Sequence, residues 1–230
     1  MRRRSESPSS ISCYLGCPKK YQFKYMHKLP DPSGPAAEFG SKFHQAAYDS
    51  WHTQDATHQD PQISKMLEAM YANEDVQSLD KNKLVEGENS EYKMSVQCGS
   101  QELMGYIDIL YPDIIIDLKT ASSKWDNEKV KGALQHFAYT YGARKLGVST
   151  AKEFWYVVVG SKGNPFVQVF KIKISEEVLQ KFEEDFSRTI TKIELDIFTP
   201  TPSEGYKPPC CWCPYKKVCP AFNPNSPYMT

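Results

Sequence analysis

The chain is expected to fold as a mixed α/β domain, with a central sheet flanked by helices. Three observations predict this. Helical periodicity runs through the first third, strict alternation replaces it near Tyr92, and a very apolar run at Ile114-Ile115-Ile116 reads as a buried strand. The order of helices, strand meander, then helix, strands and helix suits a mixed sheet with helices packed on it.

The elements follow in order. Ser7 to Leu29 is an aromatic-rich helical stretch carrying Tyr14, Tyr21, Phe23 and Tyr25, and Pro30, Pro32, Gly34 and Pro35 punctuate the loop after it. Glu38 to His52 places Phe39, Phe43, Ala46, Ala47 and Trp51 at helical spacing, and Ile63 to Asn73 is a weaker helix. Asn73 to Ser90 is polar and reads as a mobile connection. Tyr92, Met94 and Val96 alternate with Lys93, Ser95 and Gln97, as a half-buried strand should. After a turn at Gly99-Ser100, a second strand runs from Leu103 to Tyr111. Pro112-Asp113 turns the chain into the third strand, which ends at Lys119. Asn127 to Leu146 reads as one helix stopped by Gly147. Phe154 to Val159 and Phe166 to Ile172 are strands on either side of Gly160-Ser161-Lys162-Gly163. A long helix from Ser175 to about Phe198 carries a stripe of Val178, Phe182, Phe186, Ile190, Ile193 and Ile197. The tail from Thr199 is rich in Pro and Cys.

Composition bounds the function. At 230 residues, 40% of them hydrophobic and with zero formal net charge, the chain suits one domain, 1–230, and has no apolar run of membrane-spanning length. The basic start, Met1 to Arg4, is followed by no apolar segment, so it does not read as a secretory signal. A cytoplasmic setting is expected. Seven cysteines gather mainly at the two ends, and in a reducing compartment that pattern favours metal binding over disulfides.

The chemistry centres on Asp108, Asp117 and Lys119. Asp108 and Asp117 lie equally far from the turn at Pro112-Asp113, so an antiparallel pairing sets them across from one another. Facing carboxylates repel unless a cation lies between them, and Mg²⁺ or Mn²⁺ is the natural occupant. Lys119, two residues after Asp117, shares its face. Beside a divalent ion it can orient water, stabilise charge on a phosphate, or act as a base if its pKa falls. An isolated Asp-x-Lys is more often a surface ion pair. Here it ends an apolar strand and has a partner in register. Gln135 and Tyr139, four apart on a helix, share a face.

The spacing Cys210-x-x-Cys213, five residues, then Cys219 is that of metal ligands, with a fourth to come from Cys17, Cys13, Cys211 or Cys98. Zinc and a [4Fe–4S] cluster both accept four thiolates.

These motifs, taken together, resemble the RecB-like branch of the PD-(D/E)XK nucleases, which includes CRISPR-adaptation exonucleases, helicase-linked nuclease domains and viral nucleases. Gly40-Ser41-Lys42-Phe43-His44 matches its Gly-x-x-x-His helix and Gly105 to Asp108 its Gly-x-x-Asp. Asp117 to Lys119 matches its Asp-x-Lys and Gln135 to Tyr139 its Gln-x-x-x-Tyr helix. The match runs from Ser9 to Pro220. The resemblance implies a restriction-endonuclease-like fold, with His44, Asp108, Asp117 and the Leu118 carbonyl as ligands of Mg²⁺ or Mn²⁺, Lys119 as catalytic, and Gln135 and Tyr139 as supports for substrate or lysine. Alone, His44 would read as a core histidine and Tyr139 as packing. Cys17-Pro18-Lys19-Lys20-Tyr21 matches the N-terminal cysteine of the iron–sulfur type. The resemblance therefore implies that Cys17, Cys210, Cys213 and Cys219 hold a [4Fe–4S] cluster, with zinc as the alternative. Segments 7–29 and 199–222 would then form a clipped subdomain. The implied substrate is DNA, single-stranded or with free ends, met in part by Lys19 and Lys20. The implied activity is exonucleolytic, in replication, recombination, repair or spacer acquisition. No phosphate-binding Gly-rich loop is present, so unwinding would need a helicase or recombination partner. The competing expectation is a catalytically weak nucleic-acid-binding or scaffolding module with a zinc clip.

Overall fold

The structure, a computed structural model, describes residues 5–31, 34–85, 91–202 and 210–228. Parts of two predicted segments, 86–90 and 203–209, lie outside the described residues. The chain divides into two compact units, one of residues 33–96 and 103–182, the other of 1–32, 97–102 and 183–230. Among the described residues no helix is long and apolar enough to cross a membrane.

In the larger unit, α3 (Pro35–Asp49) and α4 (Pro61–Tyr71) each begin on a proline, whose missing N–H costs nothing in a first turn. Asp60 caps α4 by accepting from the Gln62 N–H. A four-stranded sheet runs in the order β4 (Ile109–Leu110), β5 (Ile114–Ala121), β6 (Glu153–Gly160), β7 (Val167–Lys173). The β5–β6 pair is parallel and the other two pairs are antiparallel. Phe43, Trp51, Met66, Met70, Ile116 and Val157 are fully buried in one core. Burial of such side chains stabilises by about 1.5–3 kcal/mol each. The remaining strands form a sheet in the order β1 (Ser5–Glu6), β3 (Gln101–Ile107), β2 (Tyr92–Cys98).

Four expectations require correction. The strand predicted over Leu103 to Tyr111 breaks at Asp108, between β3 and β4, because the Asp108 carboxylate takes the Leu118 N–H that a continuous ladder would use. The helix predicted over Asn127 to Leu146 is two, α6 (Asn127–Lys131) and α7 (Gln135–Lys145), since Gly132 caps the first. Gly147, at φ +70, ends the second as its left-handed cap. The connection after Asn73 is ordered where it is described. Asn73 caps α5 (Glu74–Gln77), and Val76 and Leu79 are buried. Finally, α8 (Glu176–Glu194) buries Leu179, Phe182, Phe186 and Ile190, while Val178 and Ile197 are exposed. The helix stops before Ile197, and Asp196 takes a left-handed φ of 56.

In the smaller unit, α1 (Pro8–Gly16) opens on a capping box formed by Ser7 and Ser10. The buried Glu6 carboxylate accepts from Ser10 at 2.6 Å and from the Tyr21 hydroxyl at 2.6 Å. Then come α2 (Pro18–Tyr21) and a π-turn, Gln22–Met26. Tyr14, Tyr21 and Phe198 form an aromatic core, and the Tyr14 hydroxyl donates to the Ile197 carbonyl at 2.7 Å. The N-terminal rings are therefore packing residues: Tyr14, Tyr21 and Phe23 are each at most 3% exposed.

Candidate active site

The apolar strand β5 delivers Asp117 and Lys119 to one face of the sheet at its C-terminal half. The β4–β5 register pairs Leu110 with Ile115 and Ile109 with Ile116. One further step sets Asp108 against Asp117, as the sequence spacing required. Asp108 then joins two neighbours: Oδ2 accepts from the Leu118 N–H at 2.6 Å, and Oδ1 lies 3.3 Å from His44 Nδ1. His44 comes from α3, whose close approach is set by Gly40. A Cβ there would lie 3.1 Å from Thr120 Oγ1 of β5. Gly105 acts similarly. A Cβ at that position would fall 2.7 Å from Cε1 of Tyr139, so the glycine lets α7 bring the phenol onto the strand. The glycines of both motifs thus have a steric reason.

Asp117 is 2% exposed. Its Oδ2 pairs with the Lys119 ammonium. Burial, with the charge of Asp108, pushes its pKa up to about 6 despite Lys119. Burial acts the same way on Asp108, but the His44 hydrogen bond and charge, Lys119 and the Leu118 N–H hold its pKa below the usual carboxylate range. Burial opposes the charged forms of His44 and Lys119, and the surrounding carboxylates outweigh it, so both pKa values rise. Pairing with Asp117 thus favours the charged form of Lys119. Burial and the nearby carboxylates raise the Tyr139 pKa far above its ordinary value.

One participant was not foreseen. Glu91, just before β2, places its carboxylate with His44 and Asp108, and one ligand atom from each of the three lies within 4.8 Å of the others. Burial and then Asp108 push the Glu91 pKa up to about 7. No motif marks Glu91. Its position at the start of a strand was the one available signal, and acids at strand ends are common. Gln135 opens α7 half-buried, one turn before Tyr139. His136 is buried, its Nδ1 3.1 Å from the Tyr156 hydroxyl, and packs rather than joining the site.

In the smaller unit, Cys17, Cys210, Cys213 and Cys219 line one pocket together with Lys20 and Lys216. Cys13 instead packs against the Tyr14 aromatic core, and Cys98 is fully buried in β2. Lys19 is only 3% exposed, and its ammonium donates to Gln22 Oε1 at 2.9 Å and the Tyr228 carbonyl at 3.2 Å. Its charge is spent on holding the C-terminal segment, not offered outward as expected for a phosphate contact.

A family model described as the PD-(D/E)XK nuclease superfamily matches residues 5–220. The chain belongs to the PD-(D/E)XK nuclease superfamily. Two crystal structures share its fold. One, from Eubacterium rectale, carries a provisional exonuclease name. It is 14% identical, with a TM-score of 0.61 over 96% of this chain and 88% of that one. The other, named SSO0001, is 13% identical, with a TM-score of 0.56 over 97% of this chain and 89% of that one. A search of curated proteins gave no match. As in other nucleases of this superfamily, a divalent metal is to be expected, and the residues here fit one. The nuclease gathers a histidine and carboxylates, donors that hard and borderline cations accept. It also buries the Asp117 carboxylate, 2% exposed, beside them.

Proposed function

We propose that this nuclease is a metal-dependent deoxyribonuclease acting on single-stranded DNA or DNA ends. The observation that carries the proposal is the convergence of half-buried His44 and Lys119 on the buried Asp108 and Asp117 within the superfamily fold. In this reading His44, Asp108, Asp117 and the Leu118 carbonyl hold Mg²⁺ or Mn²⁺. When bound, the ion polarises the phosphodiester and acidifies the attacking water. The chain's own residues do the rest. Lys119, kept charged by Asp117 and Asp108, orients the water and offsets negative charge growing on the phosphate. Asp108, anchored on the Leu118 N–H, holds His44 in place. Tyr139 closes the site beside Gly105, and Gln135 on the same helix face meets the substrate. Lys20, half-buried, is the better placed of the two expected phosphate contacts.

The second part of the reading is a [4Fe–4S] cluster on Cys17, Cys210, Cys213 and Cys219, acting as a clip between remote segments. Their shared pocket supports it. Four thiolates suit zinc as well as iron–sulfur, and the metal content of the purified protein separates the two.

The test is incubation of purified protein with end-labelled single- and double-stranded DNA in Mg²⁺, Mn²⁺ or EDTA. Metal-dependent release of short products from one end supports an exonuclease, and internal fragments would make it an endonuclease. Binding without cleavage in every metal would return the chain to the scaffolding reading.

A further inference from the structure

The geometry points to Glu91 as a ligand of the divalent ion, completing a His44–Glu91–Asp108 donor set. This rests on the metal-dependent reading above and deepens it.

His44 Nδ1 lies 3.3 Å from Asp108 Oδ1 and 4.0 Å from Glu91 Oε1. An octahedral ion with donors at ~2.1 Å needs adjacent donors about 3.0 Å apart and opposite donors about 4.2 Å apart. The two observed separations fall between those limits, so side-chain adjustments of a few tenths of an ångström would suffice.

The carboxylates also need a cation. One carboxylate oxygen of Glu91 and one of Asp108 lie within 4.8 Å of each other, and like charges that close repel unless a cation lies between them. A second observation comes from Asp117. It is 2% exposed, and its charge acts on Glu91 and His44. Lys119 alone faces this negative charge from β5, and its amine is already paired with Asp117. His44 is the other cationic group that faces these carboxylates, and its Nδ1 is a donor that a divalent ion accepts.

The neighbourhood allows exchange. Gly40, Ser41, His44 and Glu91 border a cleft of about 450 Å³. Glu91 thus stands at the mouth of the site, with Asp117 and Asp108 behind it. This makes it the ligand best placed to guide hydrated ions inward.

The experiment is calorimetric titration of the full chain with Mn²⁺, with no DNA present. Wild type is compared with Glu91→Gln, with Glu91→Asp, and with Glu128→Gln as an exposed-acid control. Thermal unfolding of each in EDTA is the fold check. Glu91→Gln should bind Mn²⁺ at least tenfold more weakly, with unfolding in EDTA unchanged or raised, because a like charge is gone. Glu91→Asp, one methylene shorter, should fall between, and Glu128→Gln should match wild type. Unchanged Mn²⁺ affinity in Glu91→Gln, or in Glu91→Asp should Glu91→Gln fail to fold, overturns the assignment and leaves the nuclease reading standing. Wild type that binds no Mn²⁺ overturns both.

Discussion

Replacing Gly105 by alanine tests why a glycine stands three residues before Asp108. The added Cβ would sit 2.7 Å from Tyr139 Cε1 and 3.6 Å from Cδ1 and Cζ. Ordinary carbon contacts lie at about 3.5–4.0 Å, so the ring or the strand must give by about 1 Å. Tyr139 cannot swing away cheaply: its phenol is desolvated and hydrogen-bonded to the Tyr106 backbone, and its ring packs near Phe154. Overpacking of this kind costs about 1–3 kcal/mol. For a chain of this size each kcal/mol lowers Tm by about 2–4 °C. Gly105→Ala should therefore lower Tm by roughly 2–12 °C in differential scanning calorimetry. It should also cut DNA cleavage, since Tyr139 or β3 moves just before Asp108. The double-mutant cycle isolates the cause. In a Tyr139→Ala background the same substitution should cost less than about 0.5 kcal/mol, because the obstacle is gone. An equal loss in both backgrounds would refute the steric account.

Three further outcomes are expected. Lys119→Ala should lose most cleavage yet still bind Mn²⁺ in calorimetry, whereas Asp108→Ala should lose both; parallel losses in the two variants would remove the distinction between charge stabiliser and ligand. Burial lowers the His136 pKa from 6.5 to about 4, so the unfolded chain binds the proton more tightly. The stability from neutral His136 is complete above about pH 6.5 and is lost as pH falls towards 4, a difference of about 2 kcal/mol between pH 7 and 4.5. Urea midpoints should show that His136→Gln is less acid-sensitive by this amount, and identical profiles would contradict it. Cys17→Ala in anaerobically purified protein should bleach a broad absorbance near ~400 nm, while Cys98→Ala should leave it intact. A colourless wild type with one zinc per chain would keep the clip and reject the iron.

The sequence made the carboxylate register legible because antiparallel pairing is arithmetic. The turn at Pro112-Asp113 and two equidistant aspartates leave one alignment, which Ile109 and Ile116 obey. The α7 helix and its Gln135–Tyr139 face were readable for a similar reason, a helical period with a glycine stop. The break at Asp108 was not legible, since Ile107, Ile109 and Leu110 continue an apolar strand pattern on either side of it. Only the side-chain bond to the Leu118 N–H makes an interruption there cheaper than a continuous ladder. Val178 misled in the other direction. It fits a helical stripe, but Leu179 sits closer in angle to Phe186 and Ile190, and a stripe can be drawn through either. Glu91 was hidden because its role depends on which strand neighbours which, and no local pattern carries that information.

The bend at Asp108 joins the folding problem to the chemical one. An aspartate in mid-strand would ordinarily be a poor choice, since its side chain competes with the ladder for backbone donors. Here the competition is what builds the site. By taking the Leu118 N–H with Oδ2, Asp108 fixes its own rotamer and leaves Oδ1 directed at His44. The same bond joins it to β5 between Asp117 and Lys119, so the three charged groups are set by one strand and one turn. Gly40 and Gly105 then let α3 and Tyr139 approach to within van der Waals contact. The cost is electrostatic: Asp117 and Glu91 keep raised pKa values as long as no cation is bound. If the proposed ion binds here, a site pre-organised in this way rearranges little to receive it.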